Sequence, residues 1–166
     1  NKGRREMLRK IILLRHAKSS WKDPLLRDFD RPLSKRGIKD TKLMKVHITS
    51  LVKEVDEIYS SPSIRTSQTI NQLVPEFSHV NYLASLYLGD VSVVLSLLES
   101  IQRRIKSVMI VGHNPCIQET MEIIRKKPVE KFPTCAAAVF SLQNGWSKTD
   151  TPIGNLEKFV KPSDLK

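Results

Sequence analysis

The chain has 166 residues, 40% hydrophobic and 27% charged, which suits one packed domain and excludes both a disordered chain and a membrane-embedded one. Lys and Arg number 28 against 17 Asp and Glu, a net charge of +11 that favours anionic partners: nucleic acid, acidic protein surfaces or phosphorylated ligands. Aromatic residues make up only 6% and do not interleave with the basic runs, so a nucleic-acid stacking platform is not expected.

Residues 1–8 read as a basic N-terminal extension expected to fray, and residues 9–166 as a single domain. Lys10–Arg15 is a short aliphatic and β-branched run, expected as a buried strand. Its apolar stretch, Ile11–Leu14, is too short for a membrane span or a secretory signal. A long polar loop is expected from His16 to Leu33. From Ser34 to Val55 the residues Met44, Ile48, Leu51, Val52 and Val55 recur at helical spacing. Asp56–Ser60 reads as a second strand, followed by a helix opened by Ser61-Pro62 and running to about Val74. His79–Leu83 is a weaker third strand. Asp90–Arg104 carries an amphipathic stripe, and Ser107–Gly112 is the strongest strand. Asn114-Pro115 opens the next helix, and Ala137–Leu142 and Leu156–Val160 close the chain around an Asn144-Gly145 turn.

This strand–helix alternation predicts an α/β fold: a three-layer α/β/α sandwich with a mostly parallel central sheet. In such folds ligands sit beyond the C-terminal strand ends, at helix N-termini. The first strand runs into Arg15-His16, the second into Ser60-Ser61-Pro62 with Arg65 on the first helical turn, and the fourth into Gly112-His113-Asn114-Pro115. Ser61 and Asn114 are expected N-caps, each with Pro at the first helical position. Two Arg and two His therefore gather where helix N-termini welcome a tetrahedral anion, and a phosphate pocket is expected.

These residues form a recognisable set. Ile11-Ile-Leu-Leu-Arg15-His16-Ala17-Lys18-Ser19-Ser20-Trp21 and Asp30-Arg31-Pro32-Leu33-Ser34-Lys35-Arg36-Gly37, then Ser60-Ser61-Pro62-Ser63-Ile64-Arg65-Thr66-Ser67-Gln68-Thr69 and Val111-Gly112-His113-Asn114-Pro115, resemble the histidine phosphatase superfamily, also called phosphoglycerate-mutase-like. Their order, spacing and the short chain are most similar to its small bacterial phosphohistidine phosphatases. The resemblance runs from about Arg9 to Leu142. It implies that His16 is the nucleophile, forming a phosphohistidine intermediate, with its second ring nitrogen held by a backbone carbonyl of the following loop. It implies too that Arg15 and Arg65 clamp the phosphoryl oxygens and that His113 adds a donor. Ser19, and Asn114 through its backbone N–H, are candidate phosphate contacts. Lys18, Trp21 and Arg31 are candidates for the pocket entrance.

The sequence departs from the wider superfamily at Ala17, where Gly is commonest, and at the general acid. No Glu lies between Leu83 and Asp90, and Asn114 follows the second His. Asp90 is the one carboxylate nearby, and it reads as a helix N-cap. Without an acid an alkoxide leaves badly, whereas imidazole, with an ordinary pKa of about 6.5, leaves more readily. The expected activity is therefore hydrolysis of phosphohistidine on proteins, without cofactor or metal. A small-molecule phosphatase for esters with good leaving groups and a non-catalytic phosphoprotein-binding module are the alternatives. The expected partner is a phosphohistidine-bearing protein or a small phosphorylated substrate, with no nucleic acid or membrane, and the expected state is a cytoplasmic monomer.

Other phosphatase chemistries fit poorly. Glu122 and Ser141 stand six residues after Cys116 and Cys135, where a Cys-dependent phosphatase needs Arg, so both thiols are expected as small core residues. Asp28-Phe29-Asp30 lacks the preceding apolar strand of an aspartate-nucleophile enzyme. His47 and His79 are expected to be structural, and no Walker-type glycine loop is present.

Overall fold

Successive residues of the first strand face opposite sides of the sheet and divide the core in two. In the computed structural model, which describes residues 8–146 and 151–166, this strand is β1 (Arg9–Arg15). The expected N-terminal extension lies, but for Leu8, outside the described residues. Ile11 and Leu13 join one buried cluster with Val94, Leu98, Met121 and Ile124, while Ile12 and Leu14 join another with Met44, Ile48, Ile70 and Leu73. All four side chains of β1 are fully buried, each worth about 1.5–3 kcal/mol of hydrophobic stabilisation.

The remaining strands are β2 (Glu57–Ser60), β3 (Val80–Tyr82), β4 (Ser107–Gly112), β5 (Ala137–Leu142) and β6 (Gly154–Val160). They form one sheet in the order β3-β2-β4-β1-β5-β6. The pairs β3–β2, β2–β4 and β4–β1 are parallel, while β5 runs antiparallel to β1 and β6 antiparallel to β5. Helices α1 (Lys35–Val52) and α2 (Ile64–Leu73) supply one buried cluster, and α4 (Val91–Ser100) and α5 (Cys116–Arg125) the other, with a short α3 (Ser85–Leu88) before α4. The result is the expected α/β/α sandwich. No helix among the described residues is long and apolar enough to cross a membrane.

Several boundaries differ from expectation for local reasons. Helix α2 begins at Ile64, three residues after Ser61, and its cap is Ser63, which accepts from the Thr66 N–H. Ser61 stays with the sheet ahead of the helix: its N–H donates to Val111 O, while its hydroxyl meets His113 and accepts from the Ser63 N–H at 3.4 Å. Helix α5 begins at Cys116, so Pro115 takes the cap position itself, following a cis Asn114-Pro115 bond. Helix α4 stops at Ser100 because Ile101 turns extended, which leaves Arg103 and Arg104 beyond its end. The loop after His16 contains a 3-10 turn at Asp28–Asp30, and a second closes the chain at Pro162–Leu165. Both cysteines are free and buried, as expected, and burial pushes the Cys135 thiol up to about 12.

Candidate active site

Three parallel neighbours, β2, β4 and β1, end at one edge of the sheet in register. Arg15 pairs with Gly112 and Ser60 with Val111, so His16, Ser61 and His113 follow side by side. The His16 N–H donates to Gly112 O at 3.1 Å, carrying the pairing one residue past β1. The rings of His16 and His113 lie 5.0 Å apart. Both histidines line a cavity of about 360 Å³ together with the cations Arg15, Lys18, Arg31 and Arg65. Ser19, Asn114 and Thr134 complete its polar wall, and Trp21, Tyr87 and Leu88 form its apolar part. Among the described residues, no carboxylate lines it. Every residue singled out for the site is thus brought to one cavity.

His16 is buried, and its Nδ1 lies 2.7 Å from Ala17 O. A carbonyl can only accept, so Nδ1 carries the proton and Nε2 keeps its lone pair. Burial, assisted by the charges of His113, Arg65 and Arg15, lowers the His16 pKa to about 3, against the opposing hydrogen bond to Ala17. The ring is therefore neutral at physiological pH. Thr69 holds the next residue in place: its Oγ1 accepts from the Ala17 N–H at 3.0 Å and donates to Arg65 O at 2.7 Å. The loop beyond is pinned to α1, where Ser34 donates to Lys18 O through both its N–H and its hydroxyl. Gly37 makes this approach possible, since a Cβ there would lie 2.1 Å from the same carbonyl.

His113 is held from the other side. Its Nε2 lies 2.8 Å from Ser61 Oγ, and its Nδ1 lies 3.4 Å from Arg65 Nη2. Burial first, then the positive charges of Arg65 and Arg15, lower its pKa to about 4, against the attraction of Asp28. A guanidinium can only donate, so Nδ1 accepts from Arg65 and Nε2 carries the ring proton, which it donates to Ser61 Oγ. Arg15 is half-buried and donates from Nη1 to Phe132 O at 3.0 Å, while its Nε is buried without an acceptor. Burial depresses its pKa from the ordinary guanidinium value.

Asp28 organises the two remaining guanidinium groups and was not among the expected site residues. Arg65 donates from Nη1 to Asp28 O at 2.7 Å and from Nη2 to Oδ2 at 2.9 Å. Arg31 donates to Oδ1 at 2.9 Å, and the Tyr87 hydroxyl to Oδ2 at 2.6 Å. Tyr87, Arg65 and Arg31 together hold this half-exposed carboxyl well below the usual carboxylate range. Arg31 is itself buried, reaches Ser19 Oγ at 2.5 Å and Ser20 O at 3.1 Å, and stacks 3.2 Å from the exposed Trp21 ring. Ser19 therefore stands in the cavity wall as the acceptor of Arg31. The Asn114 side chain is spent on the scaffold, donating to Phe132 O at 3.0 Å and accepting from the Gln118 N–H at 3.2 Å.

Asp90 caps α4: its Oδ1 accepts from the Ser92 N–H at 2.9 Å and from the Ser92 hydroxyl. It does not line the cavity. Among the described residues, no group of three or more His, Cys, Asp or Glu is placed to hold a metal ion. His47 lies half-buried on α1, and His79 is exposed just before β3.

Comparison with known proteins agrees with this fold. Over residues 11–85 the chain matches the profile of the histidine phosphatase superfamily (branch 1). It is 32% identical to an uncharacterized chloroplast protein of Arabidopsis thaliana, over 93% of this chain and 78% of that one. An uncharacterized protein of Mycobacterium tuberculosis is 26% identical, over 90% of this chain and 99% of that one. Among solved structures, a candidate phosphohistidine phosphatase SixA from Agrobacterium tumefaciens is 29% identical and superposes with a TM-score of 0.77, over 93% of this chain and 98% of that one. The protein histidine phosphatase SixA complexed with tungstate shares the fold, with a TM-score of 0.80 at 22% identity over 95% of this chain and 99% of that one. With Arg15, His16, Arg65 and His113 meeting at one edge of such a sheet, the chain belongs to the histidine phosphatase superfamily.

Proposed function

We propose that the protein hydrolyses phosphohistidine on protein substrates through a covalent intermediate on His16. The observation that carries this reading is the hydrogen bond from His16 Nδ1 to Ala17 O, which leaves a neutral ring with an unprotonated Nε2 inside a cationic cavity. Nε2 attacks phosphorus, a new N–P bond forms, and the N–P bond of the substrate breaks. The leaving imidazole takes up a proton from solvent. Water then attacks the phosphorylated His16, releasing inorganic phosphate and restoring the Nε2 lone pair. Arg15 and Arg65 neutralise and orient the non-bridging oxygens, with His113 beside Arg65 in the same cavity, and positioning of this kind supplies most of the catalysis in phosphoryl transfer.

The preference for phosphohistidine follows from the missing acid. Among the described residues no carboxylate lines the cavity, Asp90 is engaged at its helix, and Asp28 is ionised and shared between two guanidinium groups. An ionised carboxylate with a depressed pKa cannot protonate an alkoxide. The Tyr87 hydroxyl is an equally poor acid, since burial and its bond to Asp28 push its pKa up. Imidazole needs no such help. The names of the SixA structures point the same way.

The test is phosphate release from a histidine-phosphorylated protein and from an alkyl phosphate, side by side in EDTA, with His16→Ala as the blank. Fast release from phosphohistidine alone, slowed on the order of 10³-fold or more in the variant, is expected. Equal or faster release from the alkyl ester would refute the leaving-group argument. No release from either would leave a phosphoprotein-binding module.

A further inference from the structure

A second cavity, of about 430 Å³, opens on the far side of the wall that closes the first. The wall is the segment 132–135. Phe132 O accepts from Arg15 Nη1 and from Asn114 Nδ2, both at 3.0 Å, and the Cys135 N–H is shared between Arg15 O and His16 O at 3.1 and 3.0 Å. Thr134, between them, lines both cavities. The second cavity therefore begins one residue from the peptide that holds the His16 backbone.

Its lining carries a net positive charge. Arg36 comes from the first turn of α1, Lys131 from the segment leading into the wall, and Lys161 and Lys166 from the end of the chain. Two carboxylates, Asp40 and Glu130, leave an excess of two positive charges. Asp40 is only 2% exposed and lies 3.4 Å from Lys166 Nζ and 3.8 Å from Arg36 Nε, so it is the counter-charge of these two more exposed cations. The Lys131 and Lys161 ammonium groups form no ion pair within 4.0 Å among the described residues; the Asp164 carboxylate accepts from the Lys161 backbone N–H at 2.9 Å, and the Lys161 ammonium sits 5.4 Å over the Phe159 ring. Two ammonium groups left without counter-charge beside a pocket are poised to attract an acidic surface.

We propose that this second cavity is a docking groove for acidic side chains flanking the phosphorylated residue of the substrate protein. The inference rests on the phosphohistidine reading of the first cavity and specifies its partner. A free phosphoramidate fills only the first cavity. A polypeptide that presents a side chain there must continue past it, and on the Thr134 side it meets Lys131 and Lys161 next. Acidic flanks gain two charge pairs across the shared wall, and neutral flanks gain none.

The experiment uses two phosphohistidine peptides that differ only in carrying three Glu or three Gln on one flank, with potassium phosphoramidate as the flank-free substrate. With the full chain, kcat/KM for the Glu peptide is expected to exceed that for the Gln peptide about tenfold at low salt, as a few partly exposed ion pairs allow. In Lys131→Ala/Lys161→Ala the ratio falls to near 1, while phosphoramidate turnover and the thermal midpoint stay unchanged. Equal rates on both peptides, or a preference that survives the double substitution, would overturn the groove. Binding of a fluorescein-labelled, unphosphorylated Glu peptide, read by anisotropy, separates this outcome from failure of the proposed reaction. If neither phosphopeptide is hydrolysed the reaction fails, yet binding weakened by the double substitution upholds the groove and equal binding overturns it.

Discussion

Replacing Asp28 with Asn keeps the size of the side chain and removes its charge. The carboxylate accepts from Arg31 and Arg65 at 2.9 Å each and from the Tyr87 hydroxyl at 2.6 Å. An amide offers one acceptor oxygen and turns an NH2 group toward a guanidinium, donor against donor. Arg31 and Arg65 are buried while Asp28 is half-exposed, so each ion pair is screened and worth about 0.5–1 kcal/mol. Loss of the tyrosine bond adds about 1 kcal/mol. The total, about 2–3 kcal/mol, corresponds to a fall in thermal midpoint of about 4–12 °C for a chain of this size. Asp28 is a positioning residue, so stability alone is not the diagnostic readout. Arg65 keeps its bond to the Asp28 backbone carbonyl but loses the carboxylate that sets the angle of its fork. We expect phosphohistidine kcat/KM to fall about tenfold, chiefly in kcat, because the clamp matters most in the transition state. Asp28→Ala, which removes the donor clash but not the need for orientation, should lose as much activity. Asp28→Asn with wild-type kcat and thermal midpoint would refute the reasoning, and a stability loss with unchanged kcat would refute the positioning role alone.

Ser61→Ala leaves His113 Nε2 buried without a partner and should cost about 1–3 kcal/mol in chemical denaturation and slow turnover; unchanged kcat would mean that Ser61 does not set the His113 tautomer. Gly37→Ala drives a Cβ to 2.1 Å from Lys18 O, so we expect a loss of about 1–3 kcal/mol with a displaced loop after His16, checked by urea unfolding and by kcat. The folded-state pKa values of His16 and His113, about 3 and about 4, lie below the ordinary 6.5. Between pH 6.5 and 4 the unfolded chain therefore binds protons that the folded chain refuses, and stability falls as pH falls, by on the order of a few kcal/mol. Urea midpoints from pH 7.5 to 4.5 should drop less steeply in His113→Gln than in the wild type, and equal slopes would contradict a buried neutral His113.

Residues with local signatures were legible in the sequence. β1, β4 and β5 read as strands because unbroken aliphatic runs flanked by polar residues have few other uses in a chain of this composition. Arg15, His16, Arg65 and His113 could be singled out because parallel strands place their C-terminal ends at one edge, so residues far apart in the chain share a position relative to their own strand. Even the carbonyl partner of His16 was foreseeable, since a neutral nucleophilic imidazole must lodge its other proton nearby. Tertiary structure alone decided the rest. Asp28 sits in a polar loop with no periodic pattern, and its role appears only when a 3-10 turn brings it to Arg65 from 37 residues away. Ser61 has the local chemistry of a helix cap, but the sheet continues through its N–H and leaves it three residues ahead of α2, where its hydroxyl meets His113. The basic groove beyond Thr134 joins α1, the wall segment and the C-terminal turn, three pieces whose charges look scattered along the chain. Periodicity and capping are written over a few residues, but hydrogen bonds and ion pairs across long separations exist only once packing has set the distances.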